Sequence, residues 1–270
     1  MTDSLFFVGT SGYSYTEWID AGFYPPGTPS GRMLSLYSRK FSITELNYTW
    51  YQMPKPEAIE RQRLLAPPSF LFTAKLTRTL THEIEPGKWK EDAARYRDGI
   101  TPLFQAGQLA AVLMQFPPSF TRTPEHRSHL AGLITEFEGL PLAVEFRHNS
   151  WVNPRVFKEL MNRKVTLVSV DEPDIPGLFP SLDLVTNSEL IYIRFHGRNI
   201  RGWRSGKMSI QFDYTYSDDE LIEWIEQKLS PMSGKAKKGI LFFNNHVRAQ
   251  APENAGRMIR LLKERGFAAA

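Results

Sequence analysis

The sequence contains no cysteine. That absence excludes disulfides, thiolate nucleophiles, iron–sulfur clusters and cysteine-ligated zinc, and it fits a reducing compartment. Long apolar runs are also lacking: none approaches the ~18 residues of a membrane span. The start, Met1-Thr2-Asp3-Ser4, has no positive stretch leading into an apolar run, so no secretory signal is read there. A soluble, cytoplasmic protein with no membrane partner is expected. A dominant charge of one sign is missing too. The 33 Lys+Arg stand against 29 Asp+Glu, a formal +4, which is too mild to name a polyanionic partner without asking where the charge sits. Finally, no GxGxxG or GxxxxGK[ST] loop follows the first apolar run, no GxSxG elbow occurs, and His82-Glu83 is not followed by a second histidine at zincin spacing.

What is present is 270 residues, 41% of them hydrophobic, enough for a packed core. Short β-type runs recur at Leu5–Gly9, Ser42–Leu46, Phe70–Lys75, Leu109–Gln115, Leu142–Arg147, Val165–Val170, Leu190–Phe195 and Gly239–Phe243. Helical patterns separate them. Thr123-Pro124-Glu125 reads as an N-cap, a first-turn proline and a first-turn acid ahead of the stripe Leu130, Leu133, Ile134, Phe137. Asn153-Pro154 opens another helix, and Ser217 with Glu220 forms a capping-box pattern. Ala93, Tyr96, Ile100 and Phe104 make a further stripe. Alternating strands and helices predict an α/β fold with parallel pairing. Eight units over residues 1–270 predict a single TIM-like (β/α)8 barrel domain. The alternative, a doubly wound open sheet, lacks its phosphate loop. The sixth crossover is expected to be irregular, because Asp171–Glu189 contains four prolines or glycines and no convincing long helix.

Strand parity then points the polar residues. Outside a barrel the helices demand an apolar face, so the polar face is expected to turn inward, its last residues reaching the C-terminal opening where barrel active sites sit. The inward set is read as Glu45, Asn47, Lys75, Gln115, Glu145, Arg147, Asp171, Arg194, His196 and Asn244. Two readings fit. One is an internal salt-bridge network in which Glu45, Glu145 and Asp171 neutralise Lys75, Arg147 and Arg194. The other is a polar site with carboxylates for acid–base work and cations for an anionic substrate.

Arg194–Lys207 carries five Lys/Arg, one His and no acid. It follows the seventh run, a region that often binds phosphate in barrels, and Trp203 offers a stacking face. A solvated basic loop is the plainer alternative. The run Lys235, Lys237, Lys238 reads as a solvated turn at the opposite end. His126 and His129 read as a surface pair. His196 with Glu145 and Asp171 would supply an O/N donor set for a divalent metal, although the neighbouring cations oppose one; no cofactor is required by the sequence. Lys75 would form a Schiff base if desolvated, but a charge-neutralising role is expected of it. Glu45 and Glu145 would suit glycoside hydrolysis if close enough; they lie on the second and fifth runs, the sequence supplies no distance, and the flanking cations are not expected beside a neutral sugar.

These residues also carry a resemblance. Gly9-Thr10-Ser11-Gly12-Tyr13-Ser14-Tyr15 with Trp18 and Phe23-Tyr24-Pro25 form one motif, and Glu45–Tyr51 a second. Phe72–Lys75 with Thr81-His82, and Gln115–Pro118, continue the series. It closes with Val144–Trp151, Arg194–Gly197, Phe243–His246 and Ala251–Ala255. Together they resemble the YecE-like family, a domain of unknown function, over nearly the whole chain; Tyr48-Thr49-Trp50 departs from the family's usual Ser/Thr-then-Phe. The resemblance implies a TIM-like barrel and no established activity. It adds Thr10, Ser11, Tyr13, Trp18, His82, Trp151 and Asn245 as rim residues.

The sequence is therefore read as an enzyme, a hydrolase or lyase, acting on a small phosphorylated or otherwise anionic ligand, with nucleic acid as one such polyanion. Glu145 or Asp171 is expected to be the general base or acid. Lys75, Arg147 and Arg194 would stabilise negative charge, and His196 would move a proton. Glu45, Asn47, His82, Gln115, Arg198, Trp203, Asn244 and Asn245 complete the binding set. The alternative is a non-catalytic nucleic-acid-binding protein using residues 194–207.

Overall fold

A computed structural model describes residues 4–270, the side chains of Met208 and Ser209 excepted. Its strands are β1 (Leu5–Ser11), β2 (Ile43–Leu46), β3 (Leu71–Lys75), β4 (Leu109–Gln115), β5 (Leu142–Glu145), β6 (Thr166–Asp171), β7 (Leu190–Phe195), β8 (Lys238–Phe243) and β9 (Ala268–Ala269). Each of the eight expected runs is a strand. The strands β1 to β8 pair in parallel, in sequence order, and β1 closes the cycle by pairing with both β8 and β2. β1 divides its other edge: Thr10 and Ser11 pair with β2, while Leu5 and Phe6 pair with β9.

Strand β4, Leu-Ala-Ala-Val-Leu-Met-Gln, is buried at every position. Such a run has no polar alternation because both faces of a parallel barrel strand are covered. The faces still differ. Ile43, Ala111, Leu113, Ala143, Val168, Val170, Tyr192 and Phe242 fill the interior of the barrel. Val8, Phe72, Val144, Leu167, Ile193 and Phe243 belong to the larger core between strands and helices.

Helices Ser30–Tyr37, Pro56–Arg63, Trp89–Gln105, Pro124–Glu136, Pro154–Asn162, Asp218–Trp224 and Gln250–Glu264 cover the outside. Their starts follow local chemistry: Thr123 and Asn153 accept hydrogen bonds from first-turn amides, and Ser217 with Glu220 closes the capping box. The sixth crossover, residues 172–189, has no helix. It is tied along β6 by side chains instead, Thr186 Oγ1 accepting from Leu167 N at 2.8 Å and Ser169 Oγ donating to Leu182 O at 2.6 Å. The basic segment after β7 is not a free loop. It contains the helix Ile200–Ser205, capped by Asn199 and ended by Gly206 at φ 67°. Among the described residues, no helix is long and apolar enough to cross a membrane.

Candidate functional site at the C-terminal mouth of the barrel

Above the apolar interior lies one fully buried phenol. Tyr192 OH donates to Glu45 Oε2 at 2.5 Å and sits 3.1 Å from Thr73 Oγ1. Burial, and then the Glu45 carboxylate, hold this phenol well above its ordinary pKa, so it remains a donor. Glu45 in turn accepts from Arg194 Nη2 at 2.6 Å. Arg194 also donates to Glu145 Oε2 at 2.7 Å and to Ser11 Oγ at 3.3 Å. Glu145 Oε1 accepts from Arg147 Nε at 2.5 Å, and Arg147 Nη1 donates to Glu172 Oε2 at 2.9 Å. The result is a continuous chain of alternating charge, Glu45–Arg194–Glu145–Arg147–Glu172, drawn from β2, β5, β7 and the residues that follow β5 and β6.

The chain sets the protonation of its members. Burial alone would raise the Glu145 pKa, but Arg147 and Arg194 overcome it and hold the carboxyl well below its usual range. Burial lowers Arg194, yet Glu145 and Glu45 outweigh it, so its guanidinium stays charged. His196 is fully buried; desolvation and then the Arg147 charge push it down to about 3, so it is neutral at physiological pH. Arg147 Nη2 lies 2.9 Å from His196 Nε2. The same Nε2 lies 3.3 Å from Glu145 Oε1, and Asn244 Nδ2 lies 3.1 Å from His196 Nδ1.

Two groups differ. Glu172 is pushed up to about 7 by burial, against the pull of Arg147, and its Oε1 is buried with no hydrogen-bond partner. Lys75 is pushed down to about 7, first by desolvation and then by Arg194. Its Nζ lies 5.3 Å from the Trp50 ring centroid. Among the described residues no carboxylate comes within 4.0 Å of it, and it makes no hydrogen bond. The expected neutralising role of Lys75 is therefore corrected. Glu45 and Glu145 are both engaged by arginines, and the ammonium is left over.

Other sequence-read residues fall into place around this centre. Gln115 is buried and donates to the Phe116 carbonyl at 2.8 Å. Asn47 precedes a short helix, Tyr48–Tyr51, with its Oδ1 buried and unpartnered. His82 packs edge-on against Trp50, which donates to His82 Nδ1 at 3.2 Å; burial and the Lys75 charge lower its pKa to about 4. Trp203 stands over Arg147, the guanidinium carbon 5.5 Å from the ring centroid. Phe212, 6.4 Å from Trp203, and the stacked pair Tyr15 and His246, 4.7 Å apart, extend an aromatic rim.

Asp171, read as inward, and Asn245, read as a rim residue, both face outward. Asp171 shares parity with Leu167 and Ser169, which face the helices. It accepts from Tyr216 OH and Trp224 Nε1, both at 2.6 Å, and from Arg198 at 2.7 Å. The inward parity of β6 is Val168, Val170 and then Glu172, which lies beyond a run ending at Val170. Asn245 likewise faces outward with Phe243, bonding to Asn254 Oδ1 at 2.9 Å and Tyr214 O at 2.7 Å. The donor set His196, Glu145, Asp171 consequently does not assemble. Among the described residues no group of three or more His, Asp or Glu is placed to hold a metal ion. Trp18 and Trp151 are buried packing residues; Trp151 stacks on Phe146 at 4.5 Å. His126 and His129 each sit on a backbone carbonyl, Thr121 O and Leu80 O.

Of the five cations in Arg194–Lys207, Arg194 belongs to the buried chain and Arg198 to Asp171. Arg201, Arg204 and Lys207 are exposed. Beside the mouth, where the sixth crossover lacks a helix, a cavity of ≈ 380 Å³ is lined in part by Glu172, Asp174, Arg198 and Trp224.

Residues 7–269 match the family model described as a protein of unknown function, DUF72. The UPF0759 protein YunF of Bacillus subtilis is 30% identical over 96% of this chain and 95% of its own length. A crystal structure of a DUF72 family protein from Thermotoga maritima superposes with a TM-score of 0.86 at 34% identity, covering 96% of this chain and 99% of that one. One from Enterococcus faecalis superposes with a TM-score of 0.84 at 28% identity, covering 96% of each chain.

Proposed function

This chain belongs to the DUF72 family, whose function is unknown, and we propose that its barrel mouth is the active site of an enzyme that acts by acid–base chemistry on a small phosphorylated or otherwise anionic substrate. The observation that carries this reading is the unpaired Lys75. Arg147, Arg194 and Arg198 each have a carboxylate partner, so the buried ion network is complete without Lys75 and leaves a positive site inside the mouth for a ligand to neutralise.

The acid–base roles move with the geometry. Glu145, held ionised by two arginines, cannot donate a proton near neutrality, and Asp171 faces away. Lys75 and Glu172 both titrate near pH 7, where a general base and a general acid work best. Arg147, which touches Glu145, Glu172 and His196, orients rather than reacts. Calorimetric titration with inorganic phosphate tests the reading. Saturable binding should be abolished by Lys75→Met and kept by Arg201→Ala plus Arg204→Ala. Equal binding by Lys75→Met would remove Lys75 from the site.

A second reading, non-catalytic nucleic-acid binding, rests on the exposed Arg201, Arg204 and Lys207 beside Trp203. It concerns three cations rather than five, because Arg194 and Arg198 are committed internally. Affinity for a single-stranded oligonucleotide should then fall steeply with salt, and Arg201→Ala plus Arg204→Ala should flatten that slope by about 2.

A further inference from the structure

We infer that Lys75 is a Schiff-base nucleophile, so that the substrate of the mouth carries an aldehyde or ketone as well as its anionic group. This inference rests on the active-site reading above and adds the substrate class.

The argument is one of placement. Lys75 ends β3 on the inward face, between Thr73 in the buried layer below and the mouth above. Its amine meets the face of Trp50 rather than a carboxylate. The two carboxylates that influence it, Glu45 and Glu145, are bonded to Arg194 and Arg147. Lys75 is half-buried, with arginines and no carboxylate beside its ammonium; a lysine so placed gives up its proton more readily and becomes a nucleophile. The low proton affinity of Lys75 agrees with this placement.

A neighbour fits the next requirement. His82 Nδ1 accepts from Trp50 Nε1 at 3.2 Å, so in the neutral ring the proton sits on Nε2. Among the described residues that N–H makes no hydrogen bond. Lys75 and His82 both pack against Trp50, and a neutral imidazole N–H in that cluster is suited to hydrogen-bond an oxygen on which charge develops.

The step balances without an oxidant or reductant. The Lys75 nitrogen lone pair forms a bond to the carbonyl carbon, and the C=O π pair moves to oxygen. Transfer of a proton from nitrogen to oxygen gives the carbinolamine. A proton from solvent at the mouth then lets the hydroxyl leave as water, and the nitrogen lone pair closes the C=N bond.

The test uses the intact protein with dihydroxyacetone phosphate, a ketone bearing a phosphate, and cyanoborohydride at pH 7. Reduction of C=N to a secondary amine fixes the adduct, which peptide mass mapping locates. A side chain with a midpoint near 7 is about half neutral at that pH, whereas an ordinary lysine is neutral roughly one part in three thousand. Lys75 should therefore be labelled about tenfold or more above any other lysine, with that excess shrinking as pH approaches 10. Lys75→Arg and Lys75→Met, each checked for a native melting profile, should lose the adduct. Phosphate binding is measured on the same samples. If phosphate binds but labelling falls only on surface lysines, the Schiff base is overturned and the anion site stands. If phosphate does not bind and Lys75 is unlabelled, both are overturned.

Discussion

Replacing Arg194 with methionine isolates what the ion network contributes to the fold. The guanidinium donates to Glu45, Glu145 and Ser11 at 2.6, 2.7 and 3.3 Å, and Arg194 is 2% exposed, Glu45 and Glu145 0%. Methionine fills similar volume and donates nothing. Glu145 keeps Arg147, but Glu45 keeps only the Tyr192 hydroxyl. Removing one partner of a buried pair costs about 3–5 kcal/mol. At ~2–4 °C per kcal/mol for a domain of this size, the melting temperature should drop by roughly 10 °C. The sign of the pH dependence is diagnostic. In the variant, Glu45 is a buried carboxylate without a counter-ion, so its folded pKa rises above the unfolded value and the folded state takes up a proton as pH falls. The deficit should be largest at pH 8 and shrink toward pH 5. Melts of both proteins at pH 5, 6.5 and 8, with urea unfolding as a check on reversibility, give the comparison. A loss below about 1 kcal/mol at pH 8, or a deficit that does not change with pH, would refute the assignment of a buried, mutually dependent network.

Four further outcomes follow. Lys75 should titrate near pH 7 by NMR of an isotopically labelled amine; because its folded pKa is lowered below the unfolded ~10.4, the folded state binds fewer protons between these values, so wild type should gain stability over Lys75→Met as pH rises from 7 to 10. Glu172 has the opposite sense: with its folded pKa raised to about 7, wild type should lose stability relative to Glu172→Gln as pH rises from 4.5 to 7, and parallel urea curves would expose a flat difference. Tyr192→Phe removes the hydroxyl that donates to Glu45 and should cost ~1.5–3 kcal/mol, seen as a lower urea midpoint at unchanged slope. Asp171→Asn should destabilise by about 3 kcal/mol and alter Trp224 fluorescence, yet leave phosphate affinity at the mouth unchanged; a lost phosphate site would contradict the outward placement of Asp171.

The barrel was legible because each strand is short, apolar and punctuated, and because most strands carry at least one polar residue whose parity betrays its face. Arg194 and His196 on β7, Glu145 on β5 and Glu45 on β2 all turned inward as parity required. β6 shows where that argument stops. Thr-Leu-Val-Ser-Val-Asp has small polar residues on the outer parity, where Thr186 and Leu182 bond to that edge in place of a helix. Polarity then points outward, so an inward reading of Asp171 fails and the inward charge belongs to Glu172. Asn244 and Asn245 pose the same problem, one amide per face. The unpaired state of Lys75 had no signal at all. It depends on which carboxylate each arginine reaches across the barrel, a matter of distance rather than order in the chain. Phe212 enters the rim through a turn that no periodicity marks.

The same chain of charges bears on how the barrel finds its register. Glu45 and Arg194 are 149 positions apart, and Glu145 and Arg194 are 49 apart, so these contacts close only when distant strands have docked. A slip of one residue in β7 would turn Arg194 toward the helices and present Ile193 or Phe195 to Glu45 and Glu145, because side chains alternate with a period of two. Apolar residues on a wholly buried strand discriminate poorly between such alignments; two stranded carboxylates discriminate sharply. The network thus sets a penalty on misaligned registers of the closed barrel, one that holds with or without a ligand.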